Sequence, residues 1–474
     1  MLRKRYILFE VLLLIVLLII YLNIGTLYSK TIGYFTILIC ITQFYFIIKT
    51  GSKYYVRPVL IFLMSFIIVN CQIYIDLLLN NVTVTYNGFI NPNTINKGML
   101  LSAIGFTSFG LGYNLIEDKQ YTFNTKFVYS RSLYNILKRL NILIFILWLS
   151  QLSINDFTGE SYLNSGAYDV TETKYTDLLF SISQIIIFSY IAKIINFKVS
   201  IGSIHKLIPF SIFGPSIFYV LIKLMSGDRG GAIFISFLLF YFIILVTKIR
   251  IKLKYILPII LLGALIMTSI SFSRQMGNEL SFSEKLTYLF DNVDLLDEKK
   301  SFLSPTRELA NSNNCIHIAL DEINNKHKAF HYGEFHLCYI LNCIPLISNP
   351  IIKELGIERE NRLSSEYITI AYSGKQYQSG LGTSTIADNY LEFGVIGVIV
   401  GLIIIGVIFR FVDNVIINCN ANNIPMIYIL FALTMCYASL SIPRAYYFFY
   451  FRLFLYIYVI YKILELIIIN KSLK

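Results

Sequence analysis

The sequence predicts an all-α polytopic membrane protein with about twelve transmembrane helices and one large outer loop. Three observations predict it. Of the 474 residues, 56% are hydrophobic and only 14% are charged, against about 25% charge in a soluble domain. Apolar runs of about 18 or more residues recur along the chain, each enough to cross roughly 30 Å of hydrocarbon. Lysine and arginine gather in alternate short loops, which is the positive-inside pattern. Only helices fit such spans, because an open strand edge in lipid leaves backbone groups unpaired.

In chain order the spans are expected near 6–24, 31–48, 58–79, 98–116, 136–154, 175–196, 206–225, 230–248, 255–272, 386–409, 424–440 and 451–469. The first follows Arg3, Lys4 and Arg5. It is too long for a signal h-region and lacks a small-residue cleavage site, so it reads as a retained helix. With the N-terminus inside, the inner segments carry most of the basic residues, for example Lys49, Lys53 and Arg57, then Lys248, Arg250, Lys252 and Lys254. The short outer segments are much poorer. Both termini are therefore expected in the cytoplasm. The domain division follows: 1–272 an N-terminal bundle, 273–385 a large extracytoplasmic loop with short helices, and 386–474 the C-terminal helices.

The loop 273–385 is out of proportion to the others, and a connection that long is usually functional. Ser304-Pro305 followed by Arg307 and Glu308 reads as a helix start, serine at N-cap and proline at N1, with the helix running to about Lys328. Phe335 to Ile347 is a second apolar stretch, interrupted by Pro345; it is too short to span and is expected to lie on the membrane surface or re-enter. Thr383-Ser384-Thr385 can cap the next span. That span carries Gly397 and Gly401, a GxxxG pair that lets another helix pack closely.

The net charge of +12 does not point to nucleic acid, since the basic residues are spread through short loops. The seven cysteines form no CxxC pair; a disulfide among Cys315, Cys338 and Cys343 leaves one thiol over, and spacing does not name the pair. No Walker motif or dinucleotide fingerprint is present. No HExxH is present either, so neither a metal nor a cofactor is expected.

Candidate chemistry gathers on the outer side. Residues 226–231 read Ser-Gly-Asp-Arg-Gly-Gly between two apolar runs. They place Arg229, with Asp228 to orient it and Gly230 to open the backbone, at the membrane boundary. Arg274, Arg444 and Arg452 fall near the same face, and Arg307 lies in the loop. Guanidinium binds phosphate bidentately and keeps its charge; the plainer alternative is interfacial snorkelling. Asp388 and Glu392, four apart, share a helix face and suit either a general base or pairing with arginine. Four histidines, His317, His327, His331 and His336, fall in the loop, where solvated histidine is the default and a base or hydrogen-bond donor to sugar the alternative. Charged groups deep in the spans look scarce, which counts against a transporter.

Ser226–Gly231 opening a span, the oversized loop 273–385, and Gly382-Thr383-Ser384-Thr385-Ile386-Ala387-Asp388-Asn389-Tyr390-Leu391-Glu392-Phe393-Gly394 together resemble the Wzy-type repeat-unit polymerases of bacterial O-antigen and capsule pathways. The resemblance implies a GT-C-type, metal-independent glycosyltransferase in the bacterial cytoplasmic membrane. It implies transfer of a growing glycan from undecaprenyl pyrophosphate onto a new lipid-linked repeat unit at the outer leaflet. Partners would be that lipid-linked oligosaccharide, the bilayer, a chain-length regulator and a flippase. Arg229 and Arg274 would hold pyrophosphate, with Asp228, Gly230, Arg307, Arg444 and Arg452 at the substrate. The base stays open among Glu392, Asp388 and a loop histidine such as His336. A polysaccharide ligase and a lipid-linked oligosaccharide flippase are the alternative functions.

Overall fold

A computed structural model describes residues 2–50, 56–81, 92–117, 130–152, 171–195, 209–226, 229–249, 306–344, 348–358, 362–374, 380–418, 424–446 and 448–472. Among these residues all regular structure is helical. Eight α-helices of the described residues precede the loop: α1 Leu2–Asn23, α2 Lys30–Thr50, α3 Pro58–Leu78, α4 Ile95–Leu115, α5 Arg131–Leu149, α6 Thr171–Ile194, α7 Phe210–Met225 and α8 Arg229–Thr247. The loop holds α9 Asn314–Leu320, α10 Glu334–Leu341, α11 Ser348–Glu354 and α12 Ser364–Ser373, and the chain ends with α13 Thr385–Asp413, α14 Met426–Ala438 and α15 Phe448–Ser472. Every expected span thus has its helix except 255–272, which lies outside the described residues. Among the described residues, seven helices are long and apolar enough to cross a membrane; Phe210–Leu224 and Met426–Ala438 are shorter apolar helices.

The bundle is built on α4. Every residue of this helix but Lys97 and Leu115 is buried. Its small residues allow close approach, and α13 packs along it. A Cβ on Gly112 would lie 2.1 Å from the Ile403 carbonyl oxygen, and one on Gly406 2.2 Å from that of Phe109. The two backbones therefore touch, and only glycine fits at the crossing. Helices α1 and α2 flank α4 on another side. Asn96 of α4 secures their turn, donating to Gly25 O at 3.1 Å and Leu27 O at 2.6 Å and accepting from Ser29 N at 3.0 Å. Across the bundle α5, α6 and α7 share a buried polar seam, in which Gln184 joins Asn141 at 2.6 Å and Ser216 at 2.7 Å.

The expected continuous span 386–409 is corrected. Phe393 (φ −139°, ψ 19°) and Gly394 (φ 62°, ψ −148°) are not helical. A straight helix would set Asn389 and Gly401 roughly 18 Å apart at about 1.5 Å per residue. Instead, a Cβ on Gly401 would lie 2.2 Å from Asn389 Oδ1, and one on Gly397 2.2 Å from Asn389 O. Residues 385–392 therefore fold back along the helix that follows. The GxxxG pair does receive a close partner, but the partner is the same helix's own first segment.

A charged cluster closes one end of the bundle, just beyond the expected spans 58–79 and 386–409. At the end of the bundle away from the loop, Arg57 and Asp413 are both buried, 3.8 Å apart. The Tyr113 hydroxyl joins them, accepting from Arg57 at 2.5 Å and donating to Asp413 Oδ2 at 2.6 Å. Arg410 lies over the Tyr113 ring at 4.7 Å. Sequence order hid this cluster, because its members come from three helices far apart in the chain.

The loop docks on the opposite end, where α3 finishes and α4 begins. Ser304-Pro305 lie outside the described residues; the described helical run starts at Arg307 and continues through Asn325. Thr306 does not cap it and instead donates to Gln72 of α3 at 2.7 Å. His317 is fully buried, bonded to Thr94 at 2.9 Å and to Tyr74 and Asn313 at 3.1 Å each. The expectation of a solvated loop histidine fails here, because the helix packs this face against α3 and α4. Cys315, Cys338 and Cys343 are free thiols.

Candidate active site

The reversal in α13 builds the site. Breaking the helix removes the donors that residues four further on would supply to the carbonyls of Leu391 and Glu392. These accept instead from His331 N and Tyr332 N, each at 3.0 Å. The loop strap 326–336 is thereby stitched to the turn. The Glu392 side chain extends the stitching. Its Oε2 accepts from Gly333 N at 2.5 Å and its Oε1 from His336 N at 2.9 Å. Gly333, at φ +94°, is the N-cap of α10 and offers no side-chain cap. Glu392 takes that place from another helix, satisfying exposed N–H groups at the positive end of α10.

The same oxygen meets the His336 ring: Nδ1 to Glu392 Oε1 is 2.8 Å. Glu392 is fully buried and His336 is 18% exposed. A carboxylate only accepts, so Nδ1–H donates to it. Aromatic rings enclose the imidazole, with centroids at 5.5 Å for Tyr446, 5.1 Å for Phe448 and 6.1 Å for Phe393. Tyr446 is itself stacked on Tyr339 at 3.7 Å. The aromatic turn before α15 thus forms the wall of the site.

Asp388 shares the short segment with Glu392, as the spacing required, and is fully buried. Its partner differs: Oδ1 accepts from the Thr383 hydroxyl, and Oδ2 has no hydrogen-bond partner among the described residues. Ser384 caps the segment, accepting from Ala387 N at 3.1 Å. Thr385 donates to Ile442 O at 2.5 Å, which brings the short helix Ile442–Arg444 alongside.

Arg444 is half-buried and lies within electrostatic reach of Cys315. Burial pushes that thiol up to about 12, with Asp388 adding to the shift and Arg444 opposing it. Arg452 lies over Phe449 at 5.0 Å and within electrostatic reach of Tyr339 and Cys343. Neither arginine forms an ion pair among the described residues. Arg307 sits on the first described turn of the loop, which packs on α3. Arg229 and Gly230 open α8. Asp228 and Arg274 lie outside the described residues, as does the side chain of Arg229.

Two further groups escaped the sequence reading. One is the strap itself, whose only signal was Gly333 ahead of a short apolar helix. The other is Asp177 on α6, which accepts from Trp148 Nε1 at 2.7 Å, Tyr219 at 3.1 Å and Lys223 at 2.6 Å. This cluster fixes the end of α7, two residues before the segment that leads into α8.

Fold and site together define a class: a multi-pass membrane protein with a carboxylate–histidine pair held where a large loop docks on one end of a helical bundle. Within that class the chain belongs to the family described as O-antigen polysaccharide polymerase Wzy, whose model it matches over residues 6–474. This family acts on lipid-linked oligosaccharide repeat units in a membrane. The chain is accordingly a membrane protein of polysaccharide biosynthesis. No curated protein and no solved structure matches it.

Proposed function

We propose that this chain joins undecaprenyl-pyrophosphate-linked repeat units into O-antigen or capsular polysaccharide at the outer leaflet of the cytoplasmic membrane. In this reading it is a GT-C-type transferase with about twelve spans and both termini inside. A chain-length regulator and a flippase are its partners in the pathway. Membership of the polymerase family favours this over a ligase or a flippase. The observation that carries the catalytic assignment is the 2.8 Å contact between His336 Nδ1 and Glu392 Oε1.

His336 is the base and Glu392 its orienting partner. The acceptor hydroxyl gives its proton to His336 Nε2 as its oxygen forms a bond to the donor's anomeric carbon. The bond from that carbon to the pyrophosphate oxygen breaks, and the leaving group takes the electron pair. Glu392 holds the ring and stabilises the imidazolium, the role a carboxylate plays in a triad. Arg444 and Arg452 meet the pyrophosphate beside the aromatic turn, with Arg229 and Arg274 contributing from the opening of α8 and from the loop. Guanidinium stabilises the charge that develops on the leaving group. Asp388 supports the turn and the acceptor side. Holding both lipids in one cleft removes much of the orientational cost.

The test is polymerisation of defined lipid-linked repeats by the purified full-length protein in a bilayer. Glu392→Gln and His336→Ala are each expected to slow chain growth by about 10²–10⁴-fold without loss of the folded protein. Normal polymer length in both would end the assignment. Arg229→Lys and Arg229→Ala are expected to shorten the polymer; unchanged length in normally expressed variants removes Arg229 from the pyrophosphate clamp.

A further inference from the structure

The strap that stitches the loop to Glu392 has a second side. Residues 332, 333 and 336 face the turn of α13 through their bonds to Glu392, while residues 326, 328–331 and 334 border an open cleft of about 690 Å³. That volume falls within the roughly 300–1,000 Å³ of ligand sites. The remaining wall is α12, through Tyr367, Ile370 and Ala371.

The lining is charged but balanced. Lys326 and Lys328 are opposed by Glu322 and Glu334. Glu322 is almost fully buried and grips both lysines, at 2.7 Å for Lys326 and in a close pair with Lys328. Its Oε2 also accepts from the Tyr367 hydroxyl at 3.1 Å. Burial opposes the charge of Glu322, but the two lysines outweigh it and hold its carboxyl below the usual range. The lysines are about half exposed, 49% and 51%, so each ammonium keeps N–H donors toward the cleft. With their charge spent on Glu322, they make a poor phosphate clamp.

His331 adds a specific acceptor. Its side chain is 9% exposed, and Nδ1 meets Glu334 Oε2 at 3.2 Å, so Nδ1 carries the hydrogen. Nε2 is then a lone-pair acceptor, and it is buried with no hydrogen-bond partner among the described residues. A buried polar atom left unmatched costs stability, which a ligand hydroxyl would recover once the ring turns toward the cleft that His331 borders. Phe330 and Tyr367 supply ring surface beside these polar groups. Ring faces, ammonium donors and carboxylate and imidazole acceptors with no net charge are what an uncharged sugar needs.

We propose that this cleft is a saccharide subsite that binds an uncharged part of the repeat-unit glycan, separate from the arginines that meet pyrophosphate. The assignment rests on the polymerase reading for the source of the glycan. It also makes a statement about the polymer: the sugars that occupy the cleft carry no carboxylate or phosphate. The strap couples the two places physically, because the residues that border the cleft are continuous in the chain with Tyr332, Gly333 and His336, which bond to Glu392.

The probe is the free repeat-unit oligosaccharide, without lipid, prepared from the host's own polymer. Binding to the full-length protein in lipid nanodiscs is read by saturation-transfer NMR. Ile370→Trp fills the cleft from a half-buried position, and Lys326→Gln alters a half-exposed donor; neither touches Glu392 or His336. Binding by the parent protein, weakened at least ten-fold by Ile370→Trp, with KM for the lipid-linked repeat raised and kcat little changed, is the expected result. Parent-like binding and KM in both variants would overturn the subsite. Displacement of the oligosaccharide by inorganic pyrophosphate would overturn its neutral character. Glu392→Gln separates the two readings: it should bind the oligosaccharide as the parent does. If it also polymerises normally, the catalytic assignment fails while the binding result for the cleft stands.

Discussion

Glu392 Oε1 accepts both the backbone N–H of His336, at 2.9 Å, and its ring Nδ1–H, at 2.8 Å. One carboxylate oxygen thus fixes where the loop helix α10 starts and how its histidine points. Residues acting as such a unit are not additive. Glu392→Gln and His336→Ala should each lower the rate of chain extension by about 10²–10⁴-fold. The double variant should be little worse than the more damaging single one. Losses that multiply in the double variant would show that the two act independently.

The reversal of α13 depends on glycine. Gly394 has φ +62°, and a Cβ there would meet the Phe330 ring at 3.0 Å. Gly394→Ala is expected to cost about 1–3 kcal/mol through strain at a left-handed position. Because the turn carries Glu392, activity should fall further than the melting temperature alone predicts. Thermal melts of the detergent-solubilised protein, paired with polymerisation rates, check this.

Gly406 meets a different neighbour, the Phe109 carbonyl of α4, 2.2 Å from where its Cβ would stand. Backbone cannot swing aside as a side chain can. Gly406→Ala should therefore destabilise the α4–α13 contact by about 1–3 kcal/mol, the usual cost of overpacking. A melting temperature equal to the parent's would mean the two helices separate without penalty.

Arg57 and Asp413 are a buried pair bridged by Tyr113. Removing one partner strands a charge, at a cost of roughly 3–5 kcal/mol, whereas replacing both with apolar groups is often close to neutral. Arg57→Met alone should thus harm stability more than Arg57→Met combined with Asp413→Leu. Chemical denaturation of the three proteins gives the comparison, and a double variant worse than the single would refute the pairing argument.

His317 makes stability depend on pH. Burial pushes its imidazole down to about 3, while an unfolded histidine titrates near ~6.5. Between those values the unfolded state binds the extra proton, so stability falls as pH drops through that window and is complete above it. His317→Gln removes the titration and should flatten the slope of melting temperature between about pH 7 and 4. Parallel slopes for the two proteins would rule the contribution out.

Much of this molecule is legible in its sequence. Hydrophobic runs placed a helix at every expected span within the described residues, because lipid leaves a helix as the only way to pair a lone backbone segment. The spacing of Asp388 and Glu392 put both on one face, and Ser384 was readable as a cap, since these follow from local geometry. The identity of the carboxylate's partner was not. His336 lies 56 residues before Glu392, among four loop histidines with nothing local to rank them.

The same division holds for the whole chain. Its sequence by itself determined that it is a helical membrane protein with one large loop and a Wzy-like arrangement of motifs, because those properties arise from composition and near neighbours. Tertiary structure alone decided that α13 turns back on itself, that His317 is buried structure while His336 meets Glu392, and that Arg57 finds Asp413. Each of these depends on unpaired backbone groups and buried charges finding partners, and the partner that satisfies them lies far away in the chain.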